Sequence, residues 1–227
     1  NFRIVRERPI DHPSIKAGRR FTGPNKWPST DLLPDFKTNM LEYLNAMETL
    51  AHSLLPLYAL ALELEPDYFD EYFTDPTWLT RNVHYPTETP DENQFGISPH
   101  RDHGFITLIP VSEVLGLEVR SEDNHWIAAN YVENALIVNS GEFMTKWTNG
   151  RFIATPHRVL SPVKDRYISA FFYNPNWNVK SDPLPGCIGP DNPPQFKSTR
   201  FLDHLCEYVD RNYTKSSGGQ MAENAFS

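Results

Sequence analysis

The sequence predicts a mainly β chain with flanking α-helices, folded as a double-sheet jelly roll. Three observations lead there. Between Trp78 and Pro175, about eight short runs of β-branched and aromatic residues alternate with turn residues. A long stretch with helical spacing precedes that region, and a shorter one follows it. At 227 residues, with 39% hydrophobic and 13% aromatic content, the chain can bury one sizeable core.

The expected single domain, residues 1–227, divides in order. Residues 1–34 hold Pro9, Pro13, Pro24, Pro28 and Pro34 and read as irregular structure laid over the core. Helical support follows over 36–70. From Phe36 to Leu64, the residues Leu41, Leu44, Met47, Leu50, Leu54, Leu57 and Ala61 recur at helical spacing. Pro56 lacks a backbone N–H and splits or kinks that helix. A second short helix is expected after Pro66-Asp67, where an acidic start suits the helix dipole.

The jelly-roll core is placed at 78–175. Its candidate strands are Trp78–Tyr85, Phe105–Pro110, Leu117–Val119, Trp126–Ala128, Ala135–Asn139, Arg151–Ile153, Arg158–Leu160 and Tyr167–Tyr173. Glu122-Asp123-Asn124 and Asn149-Gly150 mark hairpin turns. A final helix is placed at 199–215, with Phe201, Leu202, Leu205, Tyr208 and Val209 as its apolar stripe. The tail from Ser216 to Gln220 is expected to be mobile.

Composition narrows the function classes. Net charge is −8 and no lysine/arginine stripe interrupts it, which argues against nucleic acid as a partner. No apolar run approaches the ~20 residues of a membrane helix. Nothing at the N-terminus resembles a signal peptide, and Cys187 and Cys206 suggest no disulfide framework. A reduced, cytoplasmic setting and a small-molecule substrate are the expectation, with oligomeric state open.

The chemistry concentrates in His100-Arg101-Asp102 and in His157, fifty-five residues beyond the aspartate. On an extended segment, residues i and i+2 point to one side, so His100 and Asp102 can share an ion. A jelly roll brings distant strands together, so His157 can arrive as the third donor. Two imidazoles and one carboxylate on one face of a metal are the facial ligand set of non-haem Fe(II) oxygenases. Arg166, nine residues later, offers a planar clamp for a carboxylate.

Longer segments carry a family resemblance. Ile97 to Ile109, Asn139 to Arg151 leading to Ala154-Thr155-Pro156-His157-Arg158-Val159, Arg166 to Pro175, and Gly23-Pro24-Asn25-Lys26-Trp27-Pro28 resemble the isopenicillin N synthase-like 2-oxoglutarate/Fe(II) dioxygenases. The resemblance covers about residues 20–215. It implies a double-stranded β-helix, cupin-like, with flanking helices. His100, Asp102 and His157 would be the iron ligands and catalytic centre. Arg166 would bind the far carboxylate of the co-substrate 2-oxoglutarate, and Tyr85 would hydrogen-bond it. The reaction implied is oxidation of a small metabolite's C–H bond by O2, as hydroxylation, desaturation or ring closure, with release of succinate and CO2. Family members also carry an N-terminal strand and helix that are expected to be missing here.

Two positions depart from the family pattern. The family's Arg-x-Ser places a serine two residues after the arginine, where Ile168 stands. Ser169 is expected to replace it, provided a bulge turns it to the face of Arg166. Val83 occupies a position where the family often has asparagine. Phe172 shares the Arg166 face by period two and is a candidate to line the substrate pocket. The same residues leave three alternatives open. One is an Fe(II)/O2 oxidase of this fold without 2-oxoglutarate, with Arg166 on the substrate's own carboxylate. The others are a jelly-roll binding protein without catalysis and a zinc hydrolase.

Overall fold

The computed structural model describes residues 1–87, 89–91 and 93–214. Strand β1 (Phe2–Val5) and a short helix α1 (Pro13–Lys16) lead to helices α2 (Phe36–Ser53) and α3 (Leu55–Ala61). Then come β2 (Thr77–Tyr85), β3 (Phe95–His100), β4 (Ile106–Pro110), β5 (Leu117–Arg120), β6 (Trp126–Ala128) and β7 (Leu136–Ser140). Helix α4 (Glu142–Trp147) precedes β8 (His157–Leu160), β9 (Arg166–Asn174) and helix α5 (Phe201–Val209).

The strands form two antiparallel sheets, one ordered β1-β2-β9-β4-β7 and the other β3-β8-β5-β6. This is the expected jelly-roll architecture. Strand alternation gives the five-stranded sheet two different faces. Its outer face carries Trp78, Phe171 and Tyr173, which join Leu44, Met47, Ala51, Leu55 and Phe69 in the large apolar core. Its inner face carries Tyr85, Ile109 and Ile168, which meet Ile97, Leu117 and Val159 of the other sheet in a smaller cluster. The large core supplies most of the buried apolar surface.

Several local expectations hold. Pro56 sits in the first turn of α3, where its missing N–H costs nothing, and Leu54 separates the two helices. Asn124 adopts φ 65° in the turn between β5 and β6. Other expectations are corrected. Residues 1–34 are not wholly irregular, because β1 pairs with β2 from Phe2↔Asn82 to Val5↔Leu79. After Pro66 the chain forms turns and a 3-10 segment, Asp70–Phe73, instead of an α-helix.

Arg151–Ile153 is not a strand, and Asn149-Gly150 does not join a hairpin. Asn149 (φ 48°) and Gly150 (φ 90°) end helix α4, and the Gly150 N–H donates to the Thr145 carbonyl at 2.9 Å. Positive φ stops a helix as well as it closes a hairpin, so the dipeptide alone does not decide. Although His100 was expected on an extended segment, strand β3 was absent from the periodicity-based candidates, since Gly96 and Pro99 interrupt its pattern. Two register irregularities against β8 absorb them. Residues 216–220 lie outside the described residues. Among the described residues no helix is long and apolar enough to cross a membrane.

Candidate metal centre

The β3–β8 pairing puts His100 directly opposite His157. Their ring centroids lie 4.2 Å apart. Asp102 follows β3 by two residues, and its Oδ1 lies 3.9 Å from His100 Nε2 and 3.7 Å from His157 Nε2. One donor atom from each residue lies within 4.8 Å of the others, so the three side chains converge as expected.

Backbone contacts fix which nitrogens face inward. The Nδ1 atoms of His100 and His157 lie 2.9 Å and 3.0 Å from the carbonyls of Ser98 and Thr155, each two residues upstream. A carbonyl only accepts, so each Nδ1 carries the proton and each Nε2 lone pair is left toward Asp102. Asp102 is fixed in the same way: the Asn139 side-chain amide donates to Oδ2 at 2.8 Å, leaving Oδ1 between the imidazoles. Such supporting contacts orient metal ligands and tune their basicity. Asn139 reaches the site because β7 pairs with β4, a juxtaposition no local pattern announced.

Electrostatics agree with a metal site. Burial pulls the His100 pKa below its ordinary value, and the neighbouring His157 adds to that, so the imidazole stays neutral and able to ligate. Burial alone would raise Asp102, but His157 and His100 outweigh it and hold the carboxyl below its ordinary value. The result is a buried carboxylate beside a His100 imidazole that stays neutral. The donor set of nitrogen, nitrogen and oxygen on one side fits Fe(II).

Arg166 opens β9 on the inner face, directly opposite Tyr85. It is only 4% exposed. Its Nε donates to the Val114 carbonyl at 3.1 Å, its guanidinium carbon lies 5.2 Å from the Tyr85 ring centroid, and its Nη1 is buried with no partner. The β-carbon that any other residue would add at Gly116 would come within 3.6 Å of the Arg166 side chain and 3.4 Å of the Leu160 carbonyl. Arg166 therefore crosses to the second sheet beside the end of the strand that His157 begins. Three residues of β8 separate that point from His157, about 10 Å at ~3.3 Å per residue.

Ser169 is a correction. The β2–β9 register runs unbroken from Thr77↔Asn174 to Tyr85↔Arg166, so no bulge turns it. Its hydroxyl lies 3.0 Å from that of Thr80 on the outer face, away from Arg166. Phe172 does share the inner face, and its ring stacks on His103 at 5.7 Å. His103 is buried with an unpartnered Nε2, and Tyr208 of α5 covers it at 4.8 Å. His103 has no signal in the sequence beyond its place next to Asp102. A cavity of about 350 Å³ opens between α4 and α5, lined by Arg101, Glu142, Lys146 and Tyr208 among others.

Comparison with known proteins gives this geometry a family. Residues 76–175 match the model of the 2OG-Fe(II) oxygenase superfamily. The chain belongs to that superfamily. Among curated proteins, the 2-oxoglutarate-Fe(II) type oxidoreductase hxnY of Emericella nidulans is 34% identical over 225 residues, covering 95% of this chain and 64% of that protein. Clavatol oxidase claD of Penicillium crustosum is 34% identical over 221 residues, covering 93% of this chain and 65% of that protein. The chain thus spans just under two thirds of these relatives. Among solved structures, a full-length Neurospora crassa protein in complex with alpha-KG and thymine superposes with a TM-score of 0.83 at 26% identity, over 93% of this chain and 64% of that one. The superfamily uses Fe(II) and 2-oxoglutarate, and the residues gathered between these two sheets suit both.

Proposed function

We propose that this protein is an Fe(II)- and 2-oxoglutarate-dependent oxygenase that oxidises a C–H bond of a small metabolite, releasing succinate and CO2. The observation that carries the reading is the pairing of a complete His100/Asp102/His157 donor set with a buried guanidinium whose Nη1 lacks a partner. A buried unpaired donor is costly, and a carboxylate is the acceptor that suits a planar guanidinium best. The superfamily match and the named relatives support it.

Iron bound here would supply the O2 activation, with 2-oxoglutarate as the two-electron reductant. The chain's own residues do the positioning. His100, Asp102 and His157 would hold the iron. Arg166 takes the far carboxylate of the co-substrate, with the Tyr85 ring 5.2 Å from its guanidinium carbon. Phe172, stacked with His103, walls the space beside the ligands and excludes water. The organic substrate is a small molecule. The acidic chain offers no basic stripe for nucleic acid.

The test is product analysis. Protein loaded with Fe(II) and given 2-oxoglutarate under air is expected to release succinate slowly even without substrate. It should not do so anaerobically or without iron. Iron-dependent O2 consumption with no succinate would favour an oxidase of the same fold, and oxygen-independent hydrolysis with zinc would replace the reading altogether.

A further inference from the structure

A second arginine faces the space between the sheets. On β2, Tyr85, Val83 and Arg81 alternate onto one face. Tyr85 and Val83 belong to the inter-sheet cluster, so Arg81 points the same way. Its partner across the ladder is Ala170, a small residue of the same cluster that leaves space for a guanidinium. The Arg81 Nε is buried without a hydrogen-bond partner, and the side chain forms no ion pair among the described residues. Its charge reaches both the Tyr85 phenol and the His100 imidazole, a smaller influence on each than burial.

We propose that Arg81 anchors the organic substrate by its carboxylate, which makes this enzyme specific for an organic acid. The proposal rests on the reading of Arg166 as the co-substrate clamp. The ladder runs Arg166↔Tyr85, Ile168↔Val83, Ala170↔Arg81, so four residues of β2 separate the two arginine rungs, about 13 Å at ~3.3 Å per residue. One small diacid held by the metal at one end and Arg166 at the other leaves Arg81 unfilled. Arg81 lies on the His100 side of that space, where a substrate carbon must sit to be oxidised. The adjacent rung, Leu79↔Phe172, supplies an apolar and aromatic wall for the rest of the molecule. A planar guanidinium with an unpaired buried N–H selects a planar anion over its neutral ester.

The experiment is a binding comparison on anaerobic protein loaded with Fe(II) and 2-oxoglutarate. The probes are benzoate, phenylacetate and hexanoate, each paired with its methyl ester and read by calorimetry. At least one acid is expected to bind tighter than its ester by roughly tenfold or more, as for a hydrogen bond to a charged group. Arg81→Gln should erase that preference, and Arg81→Lys should keep part of it. Wild-type protein that binds no acid better than its ester overturns the proposal. So does an Arg81→Gln protein with the preference intact, or one that loses 2-oxoglutarate binding instead, which would assign the guanidinium to the co-substrate. Succinate release by wild-type protein without any probe is scored separately, so failure of the acid preference is not failure of the oxygenase reading.

Discussion

Strand β9 shows two kinds of surface one residue apart. On its outer face, Phe171 packs against Trp78 with ring centroids 5.4 Å apart, and Tyr173 stacks on Phe73 at 5.3 Å. Both are fully buried against the helices. On its inner face, Arg166, Ile168, Ala170 and Phe172 line the space between the sheets, with one guanidinium nitrogen unpartnered and one aromatic only half buried. The outer residues satisfy one another, while the inner face keeps a guanidinium nitrogen that no protein group among the described residues satisfies. The lesson is that sequence neighbours on this strand do unrelated jobs. Ser169 lies closer to Arg166 in the chain than Phe172 does, yet only Phe172 shares its face.

The comparison breaks first if the outer face proves dispensable. Phe171→Ala should cost about 3–5 kcal/mol of stability, as large aromatic truncations in a packed core do. Urea unfolding would measure it, and Fe(II) affinity of the folded fraction should stay unchanged. A pH effect of similar size tests how α5 is tied to the ligand segment. His204 lies with Nε2 2.7 Å from the His103 carbonyl, and burial, with help from the Lys146 charge, holds its pKa down to about 4. The unfolded chain would take up that proton near the ordinary value of 6.5. Stability is therefore fully present above pH 6.5 and is lost as pH falls toward 4, by up to about 3 kcal/mol. Denaturation midpoints at neutral and acid pH should differ less in His204→Gln than in the wild type.

The inner face gives the next effect. Arg166→Gln should weaken 2-oxoglutarate roughly 10- to 100-fold, the value of a hydrogen-bonded charge pair. The rise should appear in KM for 2-oxoglutarate and in its directly measured affinity. The smallest effect belongs to Ser169→Ala. Losing the Thr80 contact should cost about 1 kcal/mol or less, with 2-oxoglutarate affinity unchanged. A loss of co-substrate affinity equal to that of Arg166→Gln would restore Ser169 to the site.

Much of this was legible because chemistry and periodicity coincided. His100, Asp102 and His157 stood out by residue type, and the regular strand β2 carried Tyr85 to the inner face. What escaped was decided by pairing between distant segments. Asn139 reaches Asp102 only through the β4–β7 ladder. Arg81 reads as an ordinary strand arginine until the faces of β2 are known. Strand β3 was hidden by Gly96 and Pro99, and helix α4 by a turn signal shared between hairpins and helix ends. The Ser169 expectation needed a bulge, and nothing in Arg166-Tyr167-Ile168-Ser169 forces one.

The most direct test of the metal centre is an anaerobic Fe(II) titration of the wild type beside Asp102→Ala. The geometry predicts one tightly bound iron per wild-type chain and none retained by the variant, since removing Asp102 leaves two imidazoles with no anionic donor between them. A folded Asp102→Ala protein that binds Fe(II) as tightly as the wild type would contradict it.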